Sequence, residues 1–152
     1  MPSIIGYRKH IDEQITRELR LPEDPTTRQR LGTELATVEG ITYVALPDGA
    51  ALPAEQPQEI AANVAPVTLT DALRDAIKAA SPHVALISSR MQEQIRARYS
   101  LEDEQYFARI GVGVALGAYT FEAGERDALV AFGAHVEAVR TWGRAEKAKL
   151  GL

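Results

Sequence analysis

The 152-residue chain is predicted to be mainly α-helical, with a helical C-terminal bundle, an N-terminal helical arm, and a small β-hairpin and extended connector between them. Three observations lead there. Apolar residues recur at helical spacing through most of residues 68–152. Patterns that start helices open three of those segments: Thr68 to Asp71, Ser81 with Pro82, and Ser100 to Asp103. Residues 41–69 carry no Lys or Arg and several prolines, which marks a change of structure.

Taken in order, Ile11, Ile15 and Leu19 stand at i, i+4 and i+8, predicting a helix from about Tyr7 to Arg20. Pro22 and Pro25 stop it, because each proline biases its predecessor away from helical backbone. Asp24 and Pro25 are able to open a second, short helix that ends at Gly32. Residues 33–38 suit helix or strand; a hairpin with Ile41–Leu46, turned at Glu39 and Gly40, is preferred. Pro47-Asp48-Gly49 is a turn signal, and residues 47–67 read as an extended connector.

Leu69, Leu73, Ala76, Ile77 and Ala80 form the apolar face of the next helix. Ser81 and Pro82 restart it, burying Val84, Ile87, Met91 and Ile95. A further helix runs from Ser100 to about Ile110, and the run Gly111–Gly117 is read as an inter-helix loop. The last helix is expected from about Glu122 to Leu150, with Leu129, Phe132, Gly133, Val136, Val139, Gly143 and Leu150 on one stripe. Acids gather at its start and bases at its end, as the helix dipole favours. Two domains follow: 1–67, the arm with hairpin and connector, and 68–152, the helical body.

Composition narrows the function. The residues are 45% hydrophobic and 25% charged, as in ordinary globular proteins. A formal charge of −4 disfavours a general nucleic-acid or anionic-membrane binder. No apolar run approaches the roughly 18 residues of a membrane span. The chain has no cysteine, so disulfides, thiolate metal sites and a cysteine nucleophile are excluded. Without a signal-peptide pattern at Met1–Gly6, synthesis in the cytosol is expected.

No constellation carries obvious chemistry. Leu116 occupies the place where a dinucleotide loop on Gly111 and Gly113 needs its third glycine. Glu102, Asp103 and Glu104 stand at a helix start, where acids serve as caps. His10, His83 and His135 are too scattered for a zinc pattern, and Ser88 and Ser89 have no partner base. Arg90, Arg96, Arg98 and Arg109 form a strip interrupted by acids. No catalytic, metal or cofactor residue is therefore assigned. Candidates for protein contact are the stripe residues Leu129, Phe132, Val136 and Val139, the flanking Trp142, and Ile11, Ile15 and Leu19 of the arm.

Four phrases occur in order: Ile41-Thr-Tyr-Val-Ala-Leu-Pro-Asp-Gly49, Ser81-Pro-His-Val84, Ile95-Arg-Ala-Arg-Tyr-Ser100 and Trp142-Gly-Arg-Ala-Glu-Lys-Ala-Lys-Leu-Gly-Leu152. In these the chain resembles small proteins of the tail modules of Mu-like, transposable and related long-tailed bacteriophages of proteobacteria. The resemblance covers roughly residues 41–152; between Tyr106 and Ala128 many relatives are shorter, so the glycine-rich insert departs from the pattern. It implies a non-enzymatic structural or adaptor protein of the tail tip or tail fibre, made in the host cytoplasm and located in the virion. Other tail proteins and further copies of the chain are then the expected partners. A fibre-assembly chaperone absent from the virion, or a modulator of a host protein, stay open as alternatives.

Overall fold

A computed structural model describes residues 1–152. In chain order the elements are β1 (Ser3–Tyr7), β2 (Thr33–Val38), β3 (Ile41–Leu46), α1 (Gln58–Ala61), β4 (Ala65–Val67), α2 (Asp71–Ala80), α3 (Pro82–Arg96), α4 (Leu101–Ala115) and α5 (Glu125–Lys149). The fold is mixed α and β, which corrects the mainly α expectation. Its strands form one antiparallel sheet in the order β2-β3-β1-β4.

The predicted N-terminal helix is absent. Ile4, Ile5 and Tyr7 instead place β1 inside the sheet, with Ile5 opposite Val44 on one side and Pro66 on the other. Consecutive apolar residues suit a strand buried on both faces, and β3 has the same texture in Tyr43-Val44-Ala45-Leu46. Beyond Tyr7 local side-chain bonding displaces the helix. The Asp12 carboxylate accepts the N–H groups of Gln14 and Ile15, both at 2.8 Å, and turns the chain back on itself. Asp24 repeats the device with Thr26 and Thr27, so the second short helix is also replaced by a turn.

The hairpin of residues 33–38 and 41–46 is present, with Thr37 and Thr42 hydroxyls 2.8 Å apart across it. A bulge between Glu34 and Ala36 turns both Leu35 and Ala36 onto one face. The connector is more ordered than expected: it contains the turn of helix α1, which buries Ile60 completely, and edge strand β4. Pro66 is tolerated there because an edge strand needs fewer donors.

The chain divides into two compact units, Met1–Ala85 with Glu146–Leu152, and Leu86–Ala145, rather than at the expected boundary near residue 67. In the first unit the sheet is covered on both faces. Ile4, Leu35, Ala36, Tyr43 and Ala45 pack with Ile77 of α2 and with Leu150 and Leu152. Ile5, Tyr7, Val44 and Leu46 pack with Leu19, Ile60, Leu21, Leu52 and Val64. The buried Tyr7 hydroxyl accepts the Leu19 N–H at 3.4 Å, and burial pushes its phenol pKa up.

Helix ends follow local chemistry. Thr70, not Thr68, caps α2, its hydroxyl accepting the Leu73 N–H at 3.2 Å. Ser100 and Asp103 form a reciprocal capping box on α4. Helix α4 continues through Gly111 and Gly113, which corrects the loop expectation. It ends at Gly117, whose φ of 71° allows Ala118 N–H to reach Gly113 C=O and its own N–H to reach Val114 C=O. Gly151, at φ 75°, closes α5 with the same pair of bonds to Lys147 and Ala148. The final helix therefore starts at Glu125, three residues later than expected.

Because Ile60 is fully buried in a cluster with five other core residues, Ile60→Ala should cost about 2–5 kcal/mol in urea unfolding. A connector that merely links two parts would leave the urea midpoint unchanged.

Candidate interaction surface

Helical unit Leu86–Ala145 is organised around aromatic packing. Phe107 of α4 stacks on Phe132 of α5 with ring centroids 4.9 Å apart, and Tyr99 meets both edge-on, at 6.0 and 5.1 Å. Leu129 lies against Gly111, within 3.5 Å of where a Cβ would stand. Met91 of α3 fills the space above Gly143, bringing these helices together where any side chain would collide with its sulfur. Val139 is buried, and Val136 and Trp142 are half-buried.

The sequence-predicted stripe of Leu129, Phe132, Val136 and Val139, flanked by Trp142, is thus mostly internal packing of this unit. One member departs: Gly133 is exposed, with nothing within 4 Å of its Cβ position. In the arm, Leu19 is core, while Ile11 and Ile15 are exposed on the Asp12 turn. The eight candidates are not brought together into one surface.

A surface that the sequence reading missed lies on α4. Leu101, Val112 and Leu116 are 55%, 59% and 78% exposed. At about 100° per residue they share one face with Ala108 and Ala115, both exposed. The spacing is present in the sequence; treating Gly111–Gly117 as a loop concealed it.

Where α4 turns into α5, three polar side chains converge. Tyr119 donates to both Glu125 carboxylate oxygens, at 3.0 and 2.8 Å, and Tyr106 donates to the same carboxylate. The Glu122 N–H adds a fourth bond at 2.8 Å. The Tyr106 hydroxyl and the Glu122 amide hold Glu125 below the usual carboxylate range, while the Glu125 carboxylate pushes Tyr119 up to about 12. This clasp pins the 116–124 turn. Both phenols donate to the one carboxylate, which they hold in place.

Several of the remaining candidates have structural partners. Asp103 belongs to the capping box and Glu104 pairs with Arg96. Arg98 and Arg109 lie over the rings of Tyr99 and Tyr106, at 5.5 and 6.0 Å. His135 Nε2 is 3.2 Å from the Gln94 carbonyl; His10 and His83 are exposed. No three of His, Asp and Glu are gathered to hold a metal, and no helix is long and apolar enough to cross a membrane. In the sheet unit, a cleft of about 170 Å³ opens over Gly6 between Ile41, Tyr43 and Val67.

Comparisons with protein-family models, with curated proteins and with solved structures found no match.

The clasp sets a pH dependence with two limbs. Glu125 has a depressed pKa, so its contribution to stability is present above the ordinary carboxylate pKa and lost as pH falls through the folded value. Tyr119 has a raised pKa, so its contribution is present below pH 10 and lost as pH rises through about 12. Glu125→Gln should flatten the acid limb in thermal unfolding followed against pH. Tyr119→Phe should remove its part of the alkaline limb and also make the acid limb shallower, because its hydroxyl helps to hold Glu125 down.

Proposed function

We propose that this chain is a non-enzymatic structural or adaptor protein of a bacteriophage tail, placed at the tail tip or tail fibre and working through protein–protein contacts. The tail context comes from the four phrases that begin at Ile41 and end at Leu152. The observation that carries the contact role is the outer face of α4. Leu101, Val112 and Leu116 with Ala108 and Ala115 expose a mainly apolar stripe, interrupted by Gln105, of the kind a protein partner covers. A second protein laid along α4 would remove that stripe from solvent. The α4 insert, a departure from the resembling proteins, then has a purpose: it lengthens the helix that bears the contact.

Quantitative mass spectrometry of purified phage particles tests the assignment. A tail component should appear at a fixed small number of copies per particle. Absence from particles, with tails failing to form when the protein is removed, would identify an assembly chaperone. Absence together with normal tails would refute a tail role altogether. At the residue level, Val112→Lys and Leu116→Lys should leave unfolding within about 0.5 kcal/mol of the parent, because both side chains are exposed and a cation suits the C-terminal end of α4. The same variants should lose incorporation into particles.

A further inference from the structure

We propose that α5 is a self-association helix: its outer face pairs antiparallel with the same face of a second copy about a two-fold axis between residues 131 and 132. This rests on the reading that the protein works through protein contacts, and it names one partner.

The face is made of Arg126, Val130, Gly133 and Glu137, all exposed. At about 100° per residue they fall within a 60° arc opposite the buried Val139. Two members are unexplained within a single copy. Val130 is an apolar side chain 64% exposed. Gly133 sits mid-helix, where glycine costs about 1 kcal/mol relative to alanine, yet its Cβ position meets nothing within 4 Å. Contrast Gly143 on the same helix, whose missing side chain makes room for Met91. A glycine with no neighbour in its own chain is accounted for by close approach of another backbone.

The spacing is self-complementary. Val130 lies as far before the midpoint of residues 131 and 132 as Gly133 lies after it. Antiparallel pairing therefore sets each Val130 over the Gly133 of the other copy, a large side chain into an empty place. Arg126 and Glu137 stand symmetrically about the same midpoint, so the pairing also sets each guanidinium beside a carboxylate. Arg126 is in none of the ion pairs of the chain. Glu137 is held on the outer face by Arg144, and a carboxylate has room for a second donor. A two-fold contact uses each of these pairs twice, as an isologous interface must.

Sedimentation equilibrium of the purified full chain tests this directly. The parent should show a concentration-dependent dimer. Arg126→Glu and Glu137→Arg should each weaken it on the order of tenfold or more, since both place like charges opposite one another. The double variant R126E/E137R should regain most of the lost affinity, an outcome that a merely structural role for either residue does not produce. Because the chain has no cysteine, Val130→Cys mixed with Gly133→Cys should give a disulfide-linked dimer under mild oxidation. A chain that stays monomeric up to millimolar concentration overturns the proposal. So does an oligomer indifferent to both charge reversals, or a double variant no better than the singles. The tail assignment is judged separately, on virions, so the failure of one is distinguishable from failure of the other.

Discussion

Burial of a four-stranded sheet on both faces is the constraint on which the first unit depends. A small antiparallel sheet usually leaves one face in water. Here Ile4 and Ile5, or Tyr43 and Val44, are adjacent residues that point to opposite sides, and both sides are apolar. Each face therefore needs its own cover. Helix α2 and the C-terminal Leu150 and Leu152 supply one. The other is supplied by irregular chain, through Leu19 and Leu21 from the loop after β1 and Leu52, Ile60 and Val64 from the connector. Those segments have little regular structure because their task is to deliver single side chains onto a surface, which a turn anchored by Asp12 or Asp24 does well.

The helical unit meets a different constraint. With few large apolar residues, it relies on three aromatic rings and on glycines that let neighbours come close. Helix termination is separate from that packing: Gly117 and Gly151 each accept a left-handed backbone and so end their helices without help from another element. The Tyr106, Tyr119 and Glu125 clasp then fixes the turn between α4 and α5. The outer faces of α4 and α5 are left uncovered, and that of α4 carries exposed Leu101, Val112 and Leu116 where a solitary helix would be polar.

Hairpin β2–β3 and helices α2 to α5 were legible because their signals are local: periodicity, caps and terminating glycines act within a few residues. The N-terminal helix was misread for the opposite reason. Ile11, Ile15 and Leu19 match a helical stripe by number, yet nothing nearby offers a face for that stripe to bury, and Asp12 competes for the backbone. Strand β1 was hidden because its partners are Thr42–Leu46 and Ala65–Val67, distant in sequence. Among the contact candidates, the stripe on α5 was found as a periodicity, but periodicity does not say whether a face meets its own chain or another.

By itself the sequence determined the features with local causes: a cysteine-free, weakly acidic chain, four C-terminal helices, the capping box that starts α4, and a tight hairpin at Glu39 and Gly40. Only the tertiary structure decided the fold class, the two-sided core that turns a supposed connector into structure, and which apolar residues remain outside. The reason is physical: capping bonds and helical phase are satisfied within a turn or two, whereas strand pairing and burial are set by neighbours far away along the chain.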